Sequence, residues 1–310
     1  MQSQALVFLL CAMYGSIFSF GKLALNYTSP LFLTGSRMCL AGLILLLYQF
    51  LFHRKGFILR KEHLWPLVWI AITGVYLTNA LEFWGLQFME AGKACFLYSF
   101  TPIATAILSY FWFGEKLTYQ KLIGLSLGIL GFIPILITHS STEGHTGFLR
   151  LLSLAELAIL GAAVATSIGW TLMRVMVKNH SYSSVMSNAI TMLGGGIFSL
   201  IHSYFADGWT TLPVQEIYPF LGWMVFLCML SNLICYNLHA HLLKKFTATY
   251  LSFAGLTQPI FAAFFGWIFL QEVMSLYFWI SAFCVTVGLY MYYREELKQG
   301  HMVKPWSLRA

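Results

Sequence analysis

The sequence predicts an all-α membrane protein of ten transmembrane helices, arranged as two inverted five-helix repeats. Three observations predict this class: an apolar composition, ten apolar windows of spanning length, and helix breakers and charges that recur at one interval. Of the 310 residues, 59% are hydrophobic and 9% are charged, whereas a soluble domain has about 25% charged residues. Such a chain lacks the polar side chains to cover a water-facing surface. In a bilayer its backbone polar groups must be satisfied within helices.

A helix needs ~20 mostly apolar residues to cross a bilayer. The windows that meet this condition lie at 5–25, 31–52, 65–88, 92–113, 119–139, 152–177, 184–205, 218–242, 247–270 and 275–293. The first window has no basic residues before it and no small-residue cleavage site after it, so we expect a retained helix rather than a signal peptide.

The basic residues predict the orientation of these helices. Of the 18 Lys and Arg, Lys22, Lys93 and Arg150 fall on one side, Arg37 and Arg174 fall within helices, and the other thirteen fall on the opposite side. Basic loops stay in the cytoplasm, which predicts cytoplasmic N- and C-termini. The net charge of +7 therefore indicates contact with anionic membrane lipids and argues against a nucleic-acid partner.

An offset of 157 residues aligns helix breakers and charges of the two halves. It pairs Ala91 with Ala248, Pro102 with Pro259, Glu115 with Glu272 and Gly131 with Gly288. Because five helices separate the copies, the second copy enters the membrane from the opposite side, as in inverted-repeat transporters. We predict repeats at 1–145 and 146–295, followed by a cytoplasmic tail at 296–310.

Short motifs recur along the chain in a characteristic order. They are Tyr14-Gly15, Lys22, Arg37, Phe83-Trp84-Gly85-Leu86, Glu90-Ala91-Gly92-Lys93-Ala94, Thr101-Pro102-Ile103, Phe113-Gly114-Glu115-Lys116-Leu117-Thr118, Lys244-Lys245-Phe246-Thr247-Ala248-Thr249, Gln258-Pro259-Ile260 and Leu270-Gln271-Glu272. In this order the motifs resemble the drug/metabolite transporter superfamily and, within it, the EamA-type ten-helix carriers. The resemblance implies a secondary transporter that works by alternating access. It also implies a central cavity lined by helices one to four and six to nine.

Glu82 is the first candidate for a substrate contact. It lies inside the third window, and ionisable groups at such a depth usually face a cavity or a partner. The alternative is a structural ion pair with Lys93 or Arg37. Asn79 shares its helix face, and Tyr98 of the fourth helix is expected at a similar depth, as a ligand contact or a packed aromatic.

The 157-residue offset places Tyr236 opposite Asn79 and His239 opposite Glu82. We therefore predict Tyr236 and Asn237 as substrate contacts near the inner mouth of the cavity. His239 in this position fits a proton sensor, although a packing role is the commoner one for such a residue.

Arg37 is a candidate for binding a substrate carboxylate in a bidentate pair. The alternative is that it snorkels to the membrane interface. Among the many aromatic residues, Tyr14, Trp170 and Phe253 are predicted to line the cavity.

Pro102 and Pro259 are predicted hinges, because proline removes a backbone donor and frees a carbonyl group in its helix. Thr101 and Gln258 precede them. Either residue is placed to satisfy the freed carbonyl, and Gln258 is a further candidate ligand contact. A simple packing kink is the alternative.

The sequence predicts no enzyme, no metal site and no cofactor. The six cysteines lie in apolar stretches without metal-ligand spacing, and no nucleophile or acid/base cluster is recognisable. A membrane enzyme and a channel are the competing classes, the latter disfavoured because no ring of repeated polar residues appears. The expected partners are a small-molecule substrate and membrane lipids, and the expected state is a monomer or weak homodimer.

The resemblance implies a cargo only by analogy. The Phe-, Tyr- and Lys-rich composition is typical of an AT-rich genome, and small intracellular bacteria with such genomes have EamA-type S-adenosylmethionine importers. An acid, amides and aromatic rings suit a cationic or zwitterionic metabolite with a flat ring. We expect exchange of S-adenosylmethionine for S-adenosylhomocysteine across the bacterial inner membrane, with transport of amino acids or another small metabolite as the alternative.

Overall fold

The computed structural model describes residues 2–54, 60–113, 118–136, 152–178, 183–243, 245–246, 251 and 254–298. The helices in this part of the chain are α1 (Gln2–Ala24), α2 (Pro30–Phe52), α3 (Lys61–Leu86), α4 (Ala91–Tyr98 and Thr101–Phe113), α5 (Tyr119–Leu136), α6 (Leu154–Lys178), α7 (Ser184–Ala206), α8 (Ile217–Leu242), α9 (Gly255–Leu270) and α10 (Leu276–Lys298). In the described residues, eight helices, α1 to α8, are long and apolar enough to span a membrane. Two shorter apolar helices follow, Gly255–Leu270 and Leu276–Tyr292, so the predicted count of ten spans is confirmed only for the first eight.

Large apolar side chains cover the outside of the helix bundle. Tyr218, Phe205 and Phe111 are 85%, 76% and 73% exposed, and comparable side chains are spread over most of the helices. Soluble proteins seldom expose apolar patches of this extent. The chain is an integral membrane protein whose outer surface is built for lipid.

Helix caps show how the sequence sets the helix boundaries. The Ser29 hydroxyl accepts a hydrogen bond from the Phe32 amide at 3.4 Å, and Pro30 occupies the first position of α2. Thr118 caps α5 in the same way, through the Lys121 amide. These side chains satisfy amide groups that have no partner within the helix, and proline fits the first position because its missing donor is not needed there.

Glycines allow helices of the two halves to approach closely. A Cβ atom on Gly196 of α7 would lie 2.7 Å from the Cys39 amide nitrogen of α2, and one on Gly195 would lie 2.6 Å from Val75 of α3. A Cβ atom on Gly15 of α1 would lie 2.5 Å from the Gln258 carbonyl oxygen of α9. Small residues permit such contacts between membrane helices. The three consecutive glycines of α7, Gly194 to Gly196, all face neighbouring helices.

Backbone irregularities recur at the predicted interval. A π-helical turn spans Ala71–Leu77 in α3 and another spans Cys228–Cys235 in α8, so their first residues are 157 positions apart. The helical segments Thr101–Phe113 and Gln258–Leu270 also begin at this separation. Such π-helical turns are rare and often lie at functional sites.

The two hinge prolines follow breaks in their spans. Pro102 and Pro259 are each the second residue of a helical segment, whereas the sequence predicted a kink within a continuous helix. A helix that restarts tolerates proline in its first turn. The Thr101 hydroxyl donates to the Tyr98 carbonyl at 2.6 Å. This is the carbonyl four residues before Pro102, which the proline leaves without a backbone donor.

Contacts between connecting segments define one end of the bundle, here called the Lys22 end. The Lys22 ammonium group lies 2.7 Å from the Glu272 carboxylate and 2.7 Å from the Met89 carbonyl. The Gln215 amide donates to the Tyr27 carbonyl at 2.9 Å. The end of α1, the end of α3 and the start of α8 therefore meet there. The end of α8 and the start of α3 lie at the opposite end.

Candidate functional site

A cavity lies among helices α1, α2, α3, α4, α6, α8 and α9. The residues that line it are Tyr14, Ile17, Phe18, Arg37, Gly74, Thr78, Asn79, Glu82, Tyr98, Ser99, Thr101, Pro102, Thr166, Trp170, Ser231, Tyr236, His239, Leu251, Gly255 and Gln258. Both halves of the chain contribute to this lining. It agrees with the helices expected from the resemblance, except that no α7 residue is among it.

Arg37 places a buried positive charge at the cavity. The side chain is 0% exposed, so it points into the bundle and does not snorkel to the membrane surface. Its Nη2 donates to Asn79 Oδ1 at 2.5 Å, and its guanidinium lies 4.5 Å from the centre of the Phe83 ring. Nε and Nη1 have no hydrogen-bond partner. The guanidinium therefore retains donors with which to bind an anionic group.

Glu82 supplies the opposite charge at the same cavity. The side chain is buried, and its carboxylate interacts electrostatically with the Arg37 guanidinium. The alternative partner, Lys93, instead forms an ion pair with Glu156 at 2.9 Å. Within the described residues, the Glu82 carboxylate accepts no hydrogen bond. This arrangement leaves its oxygens available to a cationic ligand.

A wall of aromatic rings forms another part of the lining. The Trp170 and His239 rings are stacked, with centroids 4.0 Å apart and an interplanar angle of 6°. Tyr236 contacts the Trp170 ring at 5.3 Å, and Tyr14 contacts the His239 ring edge-on at 5.9 Å. The Tyr14 hydroxyl and His239 Nδ1 are buried without hydrogen-bond partners. We call these four residues the aromatic wall.

A hydrogen bond connects the charged residues to the aromatic wall. Asn79 Nδ2 donates to the Tyr236 hydroxyl at 3.1 Å, and these residues are 157 positions apart. The two positions that the offset aligned are therefore in direct contact at the cavity. Tyr98 is anchored separately, because its hydroxyl lies 2.6 Å from Thr166 Oγ1.

Eight of the ten residues that the sequence predicted as ligand contacts lie in the cavity lining. They are Glu82, Asn79, Tyr98, Tyr14, Arg37, Trp170, Tyr236 and Gln258, and the hinge residue Pro102 joins them. Asn237 points elsewhere, because its Oδ1 accepts a hydrogen bond from Asn188 of α7 at 3.0 Å. Pro259 is buried outside the lining, and Phe253 lies outside the described residues.

The sequence analysis did not single out Thr78 and Thr166, two hydroxyl residues of the lining. Thr78 and Thr166 lie 2.9 Å apart through their Oγ1 atoms, and Thr166 also contacts Tyr98. Isolated threonines in apolar helices are common, so only their depth, similar to that of Glu82 and Tyr98, offered a signal. His239 was given mainly a packing role, and the structure places it in the cavity wall.

Comparison with known proteins places the chain in a family. The sequence model of the EamA-like transporter family matches residues 2–137 and again residues 153–294. The chain belongs to the EamA-like transporter family. Both matched parts of the chain contribute residues to the cavity lining.

Two relatives of this EamA-like transporter share much of its sequence. The S-adenosylmethionine/S-adenosylhomocysteine transporter of Chlamydia muridarum is 40% identical over 96% of this chain and 93% of its own length. The transporter with the same description from Chlamydia trachomatis serovar L2 is 39% identical over 96% of this chain and 91% of its own. A solved crystal structure has the same fold, with a TM-score of 0.70, 15% identity, and coverage of 96% of this chain and 99% of the other.

Proposed function

We propose that this EamA-like transporter exchanges S-adenosylmethionine for S-adenosylhomocysteine across a bacterial inner membrane by alternating access. The observation that carries the proposal is one cavity that combines a buried guanidinium, a buried carboxylate and an aromatic wall. The two solutes carry an amino acid group, a sulfur centre and a nucleobase, and so need all three features. The descriptions of the chlamydial relatives support the same cargo.

We assign the amino acid end of the solute to Arg37 and Glu82. Among the described residues, the Arg37 guanidinium has unpaired donors at Nε and Nη1 and a second hydrogen on Nη2. Nη2 shares one edge of the group with Nε and another with Nη1, and either edge suits the two oxygens of an α-carboxylate, because a guanidinium pairs with a carboxylate in bidentate fashion. Glu82 attracts the α-ammonium group and the sulfonium charge. Asn79 holds the guanidinium in place through its 2.5 Å hydrogen bond.

The sulfonium centre is assigned to the aromatic rings of the cavity. Tyr14, Tyr98 and Trp170 line the cavity. A desolvated cation on an aromatic face gains about 2 kcal/mol of interaction free energy. Gln258, Tyr236 and Phe253 complete the proposed site. S-adenosylhomocysteine lacks the sulfonium charge, so these faces favour S-adenosylmethionine.

The proposed architecture is ten spans in two inverted repeats, at 1–145 and 146–295, with both termini in the cytoplasm. The recurrence of the π-helical turns at 157 positions supports the repeat. So does the contact between Asn79 and Tyr236, because equivalent residues that touch lie near the symmetry axis. In this orientation the Lys22 end faces outward, and the ion pair between Lys22 and Glu272 holds the two halves together on that side.

Amino-acid transport is the second candidate. The observation that favours it is the pairing of Arg37 and Glu82, which by itself is complementary to a free zwitterion. The aromatic wall supplies ring faces that a free amino acid without an aromatic side chain does not use.

A thermal-shift screen on the detergent-purified transporter distinguishes the two candidates. A ligand that binds only the folded state raises the unfolding temperature by an amount that grows with the ratio of its concentration to its dissociation constant. We expect S-adenosylmethionine and S-adenosylhomocysteine to raise it, and the twenty amino acids at equal concentration to leave it unchanged. A shift with amino acids and none with the two nucleosides would transfer the proposal to amino-acid transport.

A further inference from the structure

We infer that the cavity holds its solute in one fixed orientation, with the nucleobase edge hydrogen-bonded by His239 and Tyr14, which makes His239 a residue that determines base specificity. The inference rests on the proposed function and names the group that reads the base. It assigns the amino acid end to the Lys22 end of the bundle and the base to the opposite end.

The first step is the separation of charged and aromatic groups along the bundle. Glu82 lies one helical turn from Asn79 toward the end of α3 at Leu86, which is at the Lys22 end. His239 lies one turn from Tyr236 toward the end of α8 at Leu242, at the opposite end. Each separation of three residues adds ~4.5 Å along the helix axis, at about 1.5 Å per residue. Glu82 and His239 therefore lie on opposite sides of the hydrogen bond between Asn79 and Tyr236.

The second step is that the His239 ring is held in place while its edge remains unpaired. One face stacks on Trp170 at 4.0 Å, and the Tyr14 ring contacts it at 68°. Its Nδ1 atom and the Tyr14 hydroxyl are both buried and have no partner among the described residues, and both residues line the cavity. Buried polar groups in proteins are almost always hydrogen-bonded. Two adjacent unpaired groups at one cavity wall therefore indicate a polar ligand edge between them.

The third step is the chemistry of that edge. A neutral imidazole nitrogen is either a donor or an acceptor, and a phenol is both. Adenine presents an acceptor, N7, beside a donor, the N6 amino group. His239 and Tyr14 together match this pair. An unsubstituted purine lacks the amino group, so it would leave one protein group unpaired, and sites built for a hydrogen bond reject such analogues strongly.

The test compares three ligands by equilibrium binding to the purified full-length transporter in nanodiscs. S-adenosylhomocysteine is the reference, its analogue with an unsubstituted purine has hydrogen in place of the amino group, and 5′-methylthioadenosine lacks the amino acid end. We expect the wild type to prefer S-adenosylhomocysteine over the purine analogue by at least tenfold. His239→Phe keeps a ring to stack on Trp170 and removes both nitrogens, and it should reduce this preference to less than threefold.

Arg37→Gln is the matched variant at the other end of the solute. It should weaken S-adenosylhomocysteine and the purine analogue equally, by at least tenfold, and change 5′-methylthioadenosine binding by less than threefold. Tyr14→Phe deletes only the unpaired hydroxyl and repeats the test of base preference if His239→Phe does not fold.

Each outcome decides the inference. A preference that survives both His239→Phe and Tyr14→Phe overturns the base-reading role, as does a wild type that binds S-adenosylhomocysteine and the purine analogue equally. A loss of 5′-methylthioadenosine binding in Arg37→Gln as large as the loss of S-adenosylhomocysteine overturns the fixed orientation. A wild type that binds neither S-adenosylmethionine nor S-adenosylhomocysteine refutes the proposed function itself, which is a separate result.

Discussion

Replacing Glu82 by Gln removes one buried negative charge while keeping the shape of the side chain. The carboxylate lines the cavity and faces the Arg37 guanidinium, and it accepts no hydrogen bond among the described residues. The substitution therefore breaks no contact within the described protein except this attraction. The substitution changes the electrostatic potential that a cationic solute experiences in the cavity.

The magnitude follows from the separation of the charges. At ~5 Å and an effective dielectric constant of ~20, a pair of unit charges attracts with about 3 kcal/mol. Desolvation of both groups offsets part of this gain. A remainder of about 1.4 kcal/mol is a factor of ten in binding. S-adenosylmethionine carries one positive charge more than S-adenosylhomocysteine, so its affinity should fall more in Glu82→Gln.

The assay is the initial rate of uptake of radiolabelled solute into proteoliposomes at several pH values. We expect Glu82→Gln to lower uptake of S-adenosylmethionine at least tenfold or to abolish its pH dependence, with a smaller effect on S-adenosylhomocysteine. Glu62→Gln is the matched control, because it makes the same change at an exposed carboxylate of the same helix, α3. Unchanged uptake of S-adenosylmethionine by Glu82→Gln at every pH would refute the reasoning.

Three further predictions test the aromatic contacts, the close packing and the buried ion pair. Tyr14→Leu, Tyr98→Leu and Trp170→Leu should each weaken S-adenosylmethionine more than S-adenosylhomocysteine in equilibrium binding, and equal losses would mean that these rings only stack on the base. Gly15→Ala should lower the unfolding temperature, because its Cβ would lie 2.5 Å from the Gln258 carbonyl and overpacking costs about 1–3 kcal/mol. Gly222→Ala, which meets nothing within 4 Å, is its control and should not lower it. Glu156→Gln should destabilise the transporter by about 3–5 kcal/mol in chemical unfolding, because it breaks the buried ion pair with Lys93, and a double replacement of Lys93 and Glu156 by Met should recover most of this loss.

Most of the predicted ligand contacts lie in the cavity lining because two signals in the sequence point to them. These signals are the internal repeat and the high cost of burying polar groups in a membrane. Glu82 and Arg37 were candidates because charged side chains are expensive inside a bilayer. Tyr236 followed from Asn79 through the 157-residue offset, and the structure places the two in contact. These inferences needed depth in the membrane and periodicity, both of which the sequence contains.

Asn237, predicted as a substrate contact, lies outside the lining because of its angular position on the helix. Asn237 follows Tyr236 directly, and about 100° of rotation per residue takes it from the cavity to Asn188. A π-helical turn precedes it at Cys228–Cys235 and changes the register that a regular helix would have. The same rotation separates Pro259 from Gln258. Neither the π-helical turn nor the direction of the Arg37 side chain can be read from hydropathy.

The measurement that tests the central claim most directly is counterflow in proteoliposomes of the purified wild type and Arg37→Gln. Vesicles are loaded with unlabelled S-adenosylhomocysteine and diluted into trace labelled S-adenosylmethionine. A carrier that exchanges the two through this cavity accumulates label transiently, and Arg37→Gln should reduce that accumulation at least tenfold. Label that enters at the same rate with or without internal solute would indicate a channel, and no entry would indicate another cargo or another class of protein. Full counterflow by Arg37→Gln would place the binding site outside this cavity.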